Sequence, residues 1–354
     1  MIRNTLNFVR EHSLPQTWNM VKYKITKQRQ STYLRYYPIH LIILITSKCT
    51  QKCNMCPQKK PNRYIDSFKF DDLSFGNFKM ILNKFKYAVK LDLTGGEPFL
   101  HKDVFDMIEF GSKNKISVEI STNGTILNDK IDQIINSSLS SLNISLDAHN
   151  PIAYEKMHGD SKQVFDTVIK NITWLVEKRN RFNKNLELQI SYICTKANYK
   201  NIPDMVRLAD DLKVDGLNFR NLVSFGISGF SEDQCLYEDD HDVIDVIESL
   251  DPPKSKLIVH MPKLYKRTTV DRYCKFPFTT LTLDSNGNVS TCCAISPHRD
   301  YGNVLYHEYA WNNWHFQTMR RILFDKSFPL PDLCKTCNNR FPESDRITLV
   351  ARDY

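Results

Sequence analysis

Three cysteines stand within eight residues in the stretch "SKCTQKCNMCPQ" (47–58): Cys49, Cys53 and Cys56, spaced C-x3-C-x2-C directly after the apolar run "HLIILIT". Three thiols this close can hold a disulfide, a zinc ion or an iron–sulfur cluster. A structural zinc site is closed by four protein ligands, and no fourth thiol stands nearby. Three thiolates on a [4Fe–4S] cube leave one iron open to an exogenous ligand. A second set lies far along the chain, where Cys274 and Cys292 are followed by the C-x2-C pair Cys334 and Cys337. Two pairs suit zinc as well as a cluster. Cys293 adjoins a candidate ligand, Cys194 ends an apolar run, and Cys235 falls in a loop-like stretch.

These residues need elements to position them. Strand-like runs occur at 40–46, 89–94, 116–121, 139–147, 186–194 and 216–223. Helix-period stripes lie between them, among them Phe75, Phe78, Leu82 and Phe85, and Val164, Val168, Ile172 and Leu175. Six alternations predict a parallel sheet with covering helices, either an incomplete (β/α) barrel or an open α/β sheet. In both, chemistry gathers at the carboxyl ends of the strands, and the cysteine triplet follows the first strand. The second strand ends in Gly95, Gly96, Glu97 and Pro98. The glycines let backbone come close to a ligand, Glu97 adds an acceptor, and Pro98 ends the ladder. The third and fourth strands end in "ISTNGT" and "ISLDAHNP". Ile2, Leu6 and Val9 predict a short helix before Pro15, and the hairpin-like "LTLDSNGNVSTCC" places Asn286 and Gly287 at or near a turn.

The formal charge of +8 is uneven: residues 1–63 hold 12 Lys or Arg and one acid, whereas the remainder holds 36 basic and 39 acidic residues. The basic arm could attract a phosphorylated substrate, an anionic membrane surface or nucleic acid. Residues 1–20 show no secretory pattern. A cytoplasmic location is therefore expected, with the arm allowing peripheral contact with a membrane. In a reducing compartment the ten cysteines are ligands or core residues rather than disulfides.

The triplet followed by Gly-Gly-Glu-Pro resembles the signature of the radical S-adenosylmethionine (radical SAM) enzymes, over roughly residues 38–224. The resemblance implies a partial (β/α)6 TIM-like barrel with Cys49, Cys53 and Cys56 on a [4Fe–4S] cluster. In that family the open iron binds SAM, and an electron from the cluster splits SAM into methionine and a 5′-deoxyadenosyl radical. By the same resemblance Gly95, Gly96, Glu97 and Pro98 receive the methionine amine. Ser121, Asn123, Ser145 and Asp147 are candidates for the SAM carboxylate and ribose. Met55 departs from the pattern, since many members carry an aromatic there. The second set resembles the SPASM/Twitch auxiliary domain, a small cysteine-rich α+β unit. No cysteine follows Cys337, so the short Twitch form matches better. Cys274, Cys292, Cys334 and Cys337 would hold a second [4Fe–4S] cluster, with zinc as the alternative.

The expected organisation is a basic arm (1–37), the radical SAM core (38–235), a linker with a helix (236–270) and the auxiliary domain (271–354). The expected function is hydrogen abstraction from a small sugar-like or nucleotide-linked substrate, ending in oxidation or epimerisation, with a flavodoxin- or ferredoxin-type protein as electron donor. Epimerisation would need a hydrogen-atom donor, for which Cys235 and Cys194 are the candidates. Peptide maturation is the alternative, and a zinc-stabilised binding protein for membrane or, less fittingly, nucleic acid is the competing class.

Overall fold

The structure, a computed structural model, describes residues 11–26, 31–58, 70–159, 162–267, 272, 274–306, 310–337 and 347–350. Helix α1 (Leu14–Thr26) comes first, with Pro15 in its first turn. Proline is tolerated there because the N–H it lacks would have no helical partner, so Pro15 opens a helix. The expected helix over Ile2, Leu6 and Val9 lies outside the described residues.

Strands β1 (His40–Thr46), β2 (Lys90–Gly95), β3 (Ser117–Thr122), β4 (Ser141–Ser145), β5 (Glu187–Cys194) and β6 (Gly216–Asn221) pair in chain order, all parallel. Helices α2 (Phe75–Lys84), α3 (Val104–Lys113), α4 (Ile131–Asn136), α5 (Pro151–His158), α6 (Lys162–Arg181) and α7 (Ile202–Asp211) fill the crossovers. Every second strand residue is apolar and buried: Leu41, Ile43 and Ile45, then Leu91 and Leu93, Val118 and Ile120, through to Leu217 and Phe219. These pack in one core with Phe78, Ile81, Met107, Ile108, Val168, Ile172 and Met205 of the helices. All these helices therefore cover one face. Doubly wound sheets reverse strand order and carry helices on both faces, so sequential order with one covered face is the barrel type of winding. The other face is mainly polar, with Ile42, Leu44 and Ile193 as its apolar members. The period of two and the strand register put His40, Lys90, Asp92, Glu119, Asn143, Gln189, Ser191, Asn218 and Arg220 on it.

The sheet runs past six strands. The stretch 236–270, expected as a linker with a helix, contains that helix, α8 (His241–Glu248), and also strand β7 (Ile258–His260), parallel to β6. After a short helix α9 (Phe276–Thr279), β8 (Thr280–Leu283) pairs parallel with β1 on its free edge, and β9 (Asn288–Ser290) returns antiparallel. Gly287 makes the expected turn at φ +81°, with the Asp284 carboxylate accepting from the Asn286 and Asn288 amides at 2.9 Å each. Strand β10 (His298–Asn303) ends this side of the sheet, helix α10 (Trp314–Phe324) follows, and β11 (Thr348–Leu349) pairs antiparallel with β7. The cysteine-rich part is thus joined to the core through β1.

Arg320 of α10 secures that junction. Fully buried, it donates to the carbonyls of Pro277, Thr32 and Trp311 and to Asn312 Oδ1, at 2.8–2.9 Å, and its guanidinium lies over the Trp311 ring. Removing it leaves several buried acceptors unpaired, each costing about 1–3 kcal/mol. We expect Arg320→Met to lower unfolding free energy by about 3 kcal/mol or more, read as a lower denaturant midpoint; an unchanged midpoint would refute this role.

Candidate functional site

The cysteine loop leaves β1 at a register shift between Leu44 and Thr46. Its start is gripped from both sides. From one, Thr46 Oγ1 donates to Asp72 Oδ1 and Lys48 Nζ to Asp72 Oδ2, each at 2.7 Å. Although burial opposes it, these partners hold the Asp72 carboxyl below its ordinary value. From the other side comes the tip of β2: Gly96 N–H donates to Thr46 O at 2.8 Å and Glu97 N–H to Lys48 O at 2.7 Å. A methyl group on Gly95 would lie 2.2 Å from Thr46 O, and one on Gly96 2.0 Å from Lys48 O. Gly95 also has φ +131°, a conformation that side chains rarely adopt. The backbone that these glycines admit is thus the start of the cysteine loop itself, where the sequence had suggested a ligand.

Glu97 reaches across to the third strand. Its buried carboxylate accepts from Thr122 Oγ1 at 2.9 and 3.0 Å and from the Asn123 amide at 2.8 Å. Burial raises its pKa against these donors. Asn123 Nδ2 in turn donates to Thr50 Oγ1 at 2.9 Å and lies 3.6 Å from Cys49 Sγ. Asn123 thus joins the cysteine loop. Pro98 opens a single 3-10 turn and is buried.

Asp147 sits at φ +52° just past β4, and its Oδ1 accepts from the Ile193 amide at 2.7 Å. Burial raises its pKa, with His158, the Ile193 amide and Arg220 opposing. Much of its bonding capacity therefore serves the chain itself. His158, buried at the end of α5, has Nε2 at 3.1 Å from Leu146 O and Nδ1 at 3.1 Å from Cys53 Sγ. A carbonyl only accepts, so Nε2 carries the proton and Nδ1 faces the sulfur. Tyr154 stacks on this ring and bonds Gln51 at 2.5 Å. The sequence offered no signal that His158 and Tyr154 would stand beside the cysteine loop. Ser121 and Ser145 lie at the tips of β3 and β4 on the polar face.

The four C-terminal cysteines come together. Cys274, Cys292, Cys334 and Cys337 line one pocket with Pro277, Ala294, Ile295, Met319, Leu323, Leu330 and Leu333. Burial, followed by the neighbouring Cys292, Cys337 and Cys334, drives the Cys274 thiol well above its ordinary pKa. Apart from the four thiols, the lining of that pocket is apolar. The donors fit an iron–sulfur cluster. Cys293 is exposed.

Cys194 and Cys235 are placed elsewhere. Cys194 is fully buried on the helix-covered face with Leu188, Ile190 and Tyr192, away from the polar face. Cys235 is fully buried among Leu222, Tyr237 and Tyr265, its thiol 3.3 Å from Leu222 O, and burial pushes its pKa up to about 12. The expectation from the sequence is that one of these two thiols donates a hydrogen atom to a substrate radical, whereas packing encloses both. The two-residue period in "LELQISYIC" already carried that signal for Cys194.

The radical SAM superfamily model matches residues 43–217, and the iron–sulfur cluster-binding SPASM model matches residues 274–338. The chain belongs to the radical SAM superfamily. The match takes in the cysteine triplet and the strand tips just described, and the second begins at Cys274 and takes in Cys337. Among curated relatives, a probable GTP 3′,8-cyclase of Methanocaldococcus jannaschii is 27% identical over 49% of this chain and 55% of its own length. A GTP 3′,8-cyclase of Clostridium perfringens is 28% identical over 53% and 56%. The chain spans about half the length of these relatives. A tungsten-containing aldehyde ferredoxin oxidoreductase cofactor-modifying protein of Pyrococcus furiosus is 24% identical over 79% of this chain and 78% of its own. In fold, Streptococcus suis SuiB bound to the precursor peptide SuiA matches with TM-score 0.61 and 16% identity over 91% of this chain and 75% of SuiB. This radical SAM enzyme therefore has a SAM-binding [4Fe–4S] cluster and a SPASM-type cluster domain. The competing class, a zinc-stabilised binding protein, gives way to it. Among the described residues, no helix is long and apolar enough to cross a membrane.

The loop grip predicts a selective loss. In Gly96→Ala the methyl group would force the cysteine loop away from β2. We expect iron after anaerobic reconstitution to fall by roughly half, because one of two [4Fe–4S] sites is lost. Full iron content in this variant would show that the contact is dispensable.

Proposed function

We propose that this enzyme removes a hydrogen atom from a polar small molecule bearing an anionic group, sugar-like or nucleotide-linked, held on the polar face of the sheet. Arg220 carries this reading. It is exposed near the end of β6 and makes no hydrogen bond or ion pair with a described residue. Its charge nevertheless helps to lower the pKa of Asp92 and opposes the rise at Asp147, which places it over that face. An unpaired guanidinium beside the strand tips is suited to phosphate or carboxylate. Asp92 Oδ1 and Asn143 Oδ1, on the same face, lack hydrogen-bond partners among the described residues and could accept from substrate hydroxyls or amines. The names of the two cyclase relatives point to a nucleotide and agree with this charge pattern.

When bound, the cluster and SAM together supply the 5′-deoxyadenosyl radical, with the electron coming from a flavodoxin- or ferredoxin-type protein. Cys49, Cys53 and Cys56 would hold that cluster; Cys274, Cys292, Cys334 and Cys337 would hold the second. The chain's own part is to fix the loop through Gly95, Gly96 and Asp72, and to present Ser121, Asn123 and Ser145 at the strand tips toward SAM. Enclosure of Cys194 and Cys235 argues against hydrogen return from either thiol, so oxidation is favoured over epimerisation. A second reading, peptide maturation, draws on β10, the last strand on its side of the sheet, whose first three residues are exposed. Such an edge can take an added strand.

Two variants test the assignment. Cys53→Ala should abolish 5′-deoxyadenosine formation while leaving the auxiliary cluster's iron; continued formation would overturn the site. Arg220→Gln should weaken titrated binding of nucleoside triphosphates or nucleotide sugars by roughly 10- to 100-fold, the worth of a charge-assisted contact. If the wild-type protein binds none of these but binds peptides, the second reading takes its place.

A further inference from the structure

Helix α1 is packed inside out. Its buried residues are the polar Gln16 and Asn19. Gln16 Nε2 donates to Ala88 O at 2.8 Å and Asn114 O at 3.1 Å, and Asn19 exchanges hydrogen bonds with the Tyr37 backbone at 2.9 and 3.1 Å. The opposite side carries Leu14, Trp18, Val21 and Ile25, exposed by 79, 60, 36 and 58%. At 100° per residue the offsets of 4, 7 and 11 keep all four within one narrow stripe. Exposed apolar residues scattered singly need no explanation, but a contiguous row of large ones marks an interaction surface. Lys22 and Lys24 are exposed beside it, with the Lys22 ammonium 6.0 Å from the Trp18 ring.

We propose that α1 docks this protein on an anionic lipid surface. The stripe would enter the boundary between headgroups and acyl chains, Trp18 would sit at headgroup depth, and the lysines would meet anionic headgroups. Charge selects this occupant: residues 1–37, which precede β1, hold seven Lys or Arg against one acid, Glu11, and each basic residue near an anionic leaflet adds attraction. The geometry also sets orientation. Ala88, Asn114 and Tyr37, which α1 grips, all precede strands, so the helix lies at the amino ends of β1, β2 and β3, whereas the cysteine triplet lies beyond the carboxyl end of β1. Docking would hold the enzyme at the surface while its site faces away from it.

The test is co-sedimentation of the full chain with phosphatidylcholine vesicles, with and without phosphatidylglycerol, at low and high salt. We expect binding to the anionic vesicles that falls steeply with salt, and a blue shift of tryptophan emission that is absent in Trp18→Phe. Leu14→Ser/Trp18→Ser/Ile25→Ser should reduce binding at least about tenfold, since each lost apolar group removes membrane burial, without changing 5′-deoxyadenosine formation. Lys22→Gln/Lys24→Gln should weaken binding to anionic vesicles alone. The proposal is overturned if the wild-type chain stays in the supernatant, or if the triple variant binds equally. It also fails if that variant converts a dimer to a monomer, which would make a second copy the occupant. Vesicle binding seen only after deletion of residues 1–10 would mean that this segment covers the stripe, and would equally overturn it.

Discussion

The contact between the tip of β2 and the first residues beyond β1 is the constraint on which the site depends. Two carbonyls, of Thr46 and Lys48, occupy the space where side chains of residues 95 and 96 would stand. A loop carrying three metal ligands has little apolar surface with which to order itself, and its backbone groups must find partners. The two glycines let a neighbouring strand end supply those partners directly. Glu97 then carries the restraint one strand further, to Thr122 and Asn123, and Asn123 returns it to Thr50. The tips of β1, β2 and β3 and the cysteine loop are therefore one hydrogen-bonded unit. Positioning through short, buried backbone contacts is what a cofactor site held to fractions of an ångström needs.

The sheet divides its labour by face. One side is continuous with the helices and supplies the burial that stabilises the fold. The other supplies almost no core and is lined with charged and amide side chains, an arrangement whose cost is offset partly by ion pairs such as Lys90 with Glu119 at 2.7 Å. A polar surface inside a barrel-type sheet is poor packing and good recognition. Arg220 belongs to this side and Cys194 to the other, although both lie near the ends of adjacent strands.

The auxiliary cysteines acquire their relation to the core in the same way, through β1. Because β8 pairs with β1 and β2 pairs with its opposite edge, the strand that launches the cysteine triplet is also the strand on which the C-terminal part is built. Arg320, satisfied by carbonyls from residues 32, 277 and 311, ties that part to the segment entering β1.

By itself the sequence determined what rests on local periodicity and spacing. Six strands with intervening helices, the turn at Asn286 and Gly287, the cysteine triplet with its missing fourth ligand, and the two C-terminal pairs were all legible, because each is written in residues close together in the chain. Tertiary structure decided what depends on partners far apart in sequence. Strand β7 has three residues and one exposed end, too little for alternation to register, and exists because β6 offers an edge. Gly95 and Gly96 could be read as close-approach residues, but not what approaches them. His158 meets Cys53 across 105 positions, a contact that only the fold creates. The sequence predicts a helix ending before Pro15, whereas α1 begins there and turns its apolar side outward, because Gln16 and Asn19 find backbone carbonyls at the amino ends of the strands. Which side of such a helix turns inward is set by the groups it meets, and those are present only once the chain has folded.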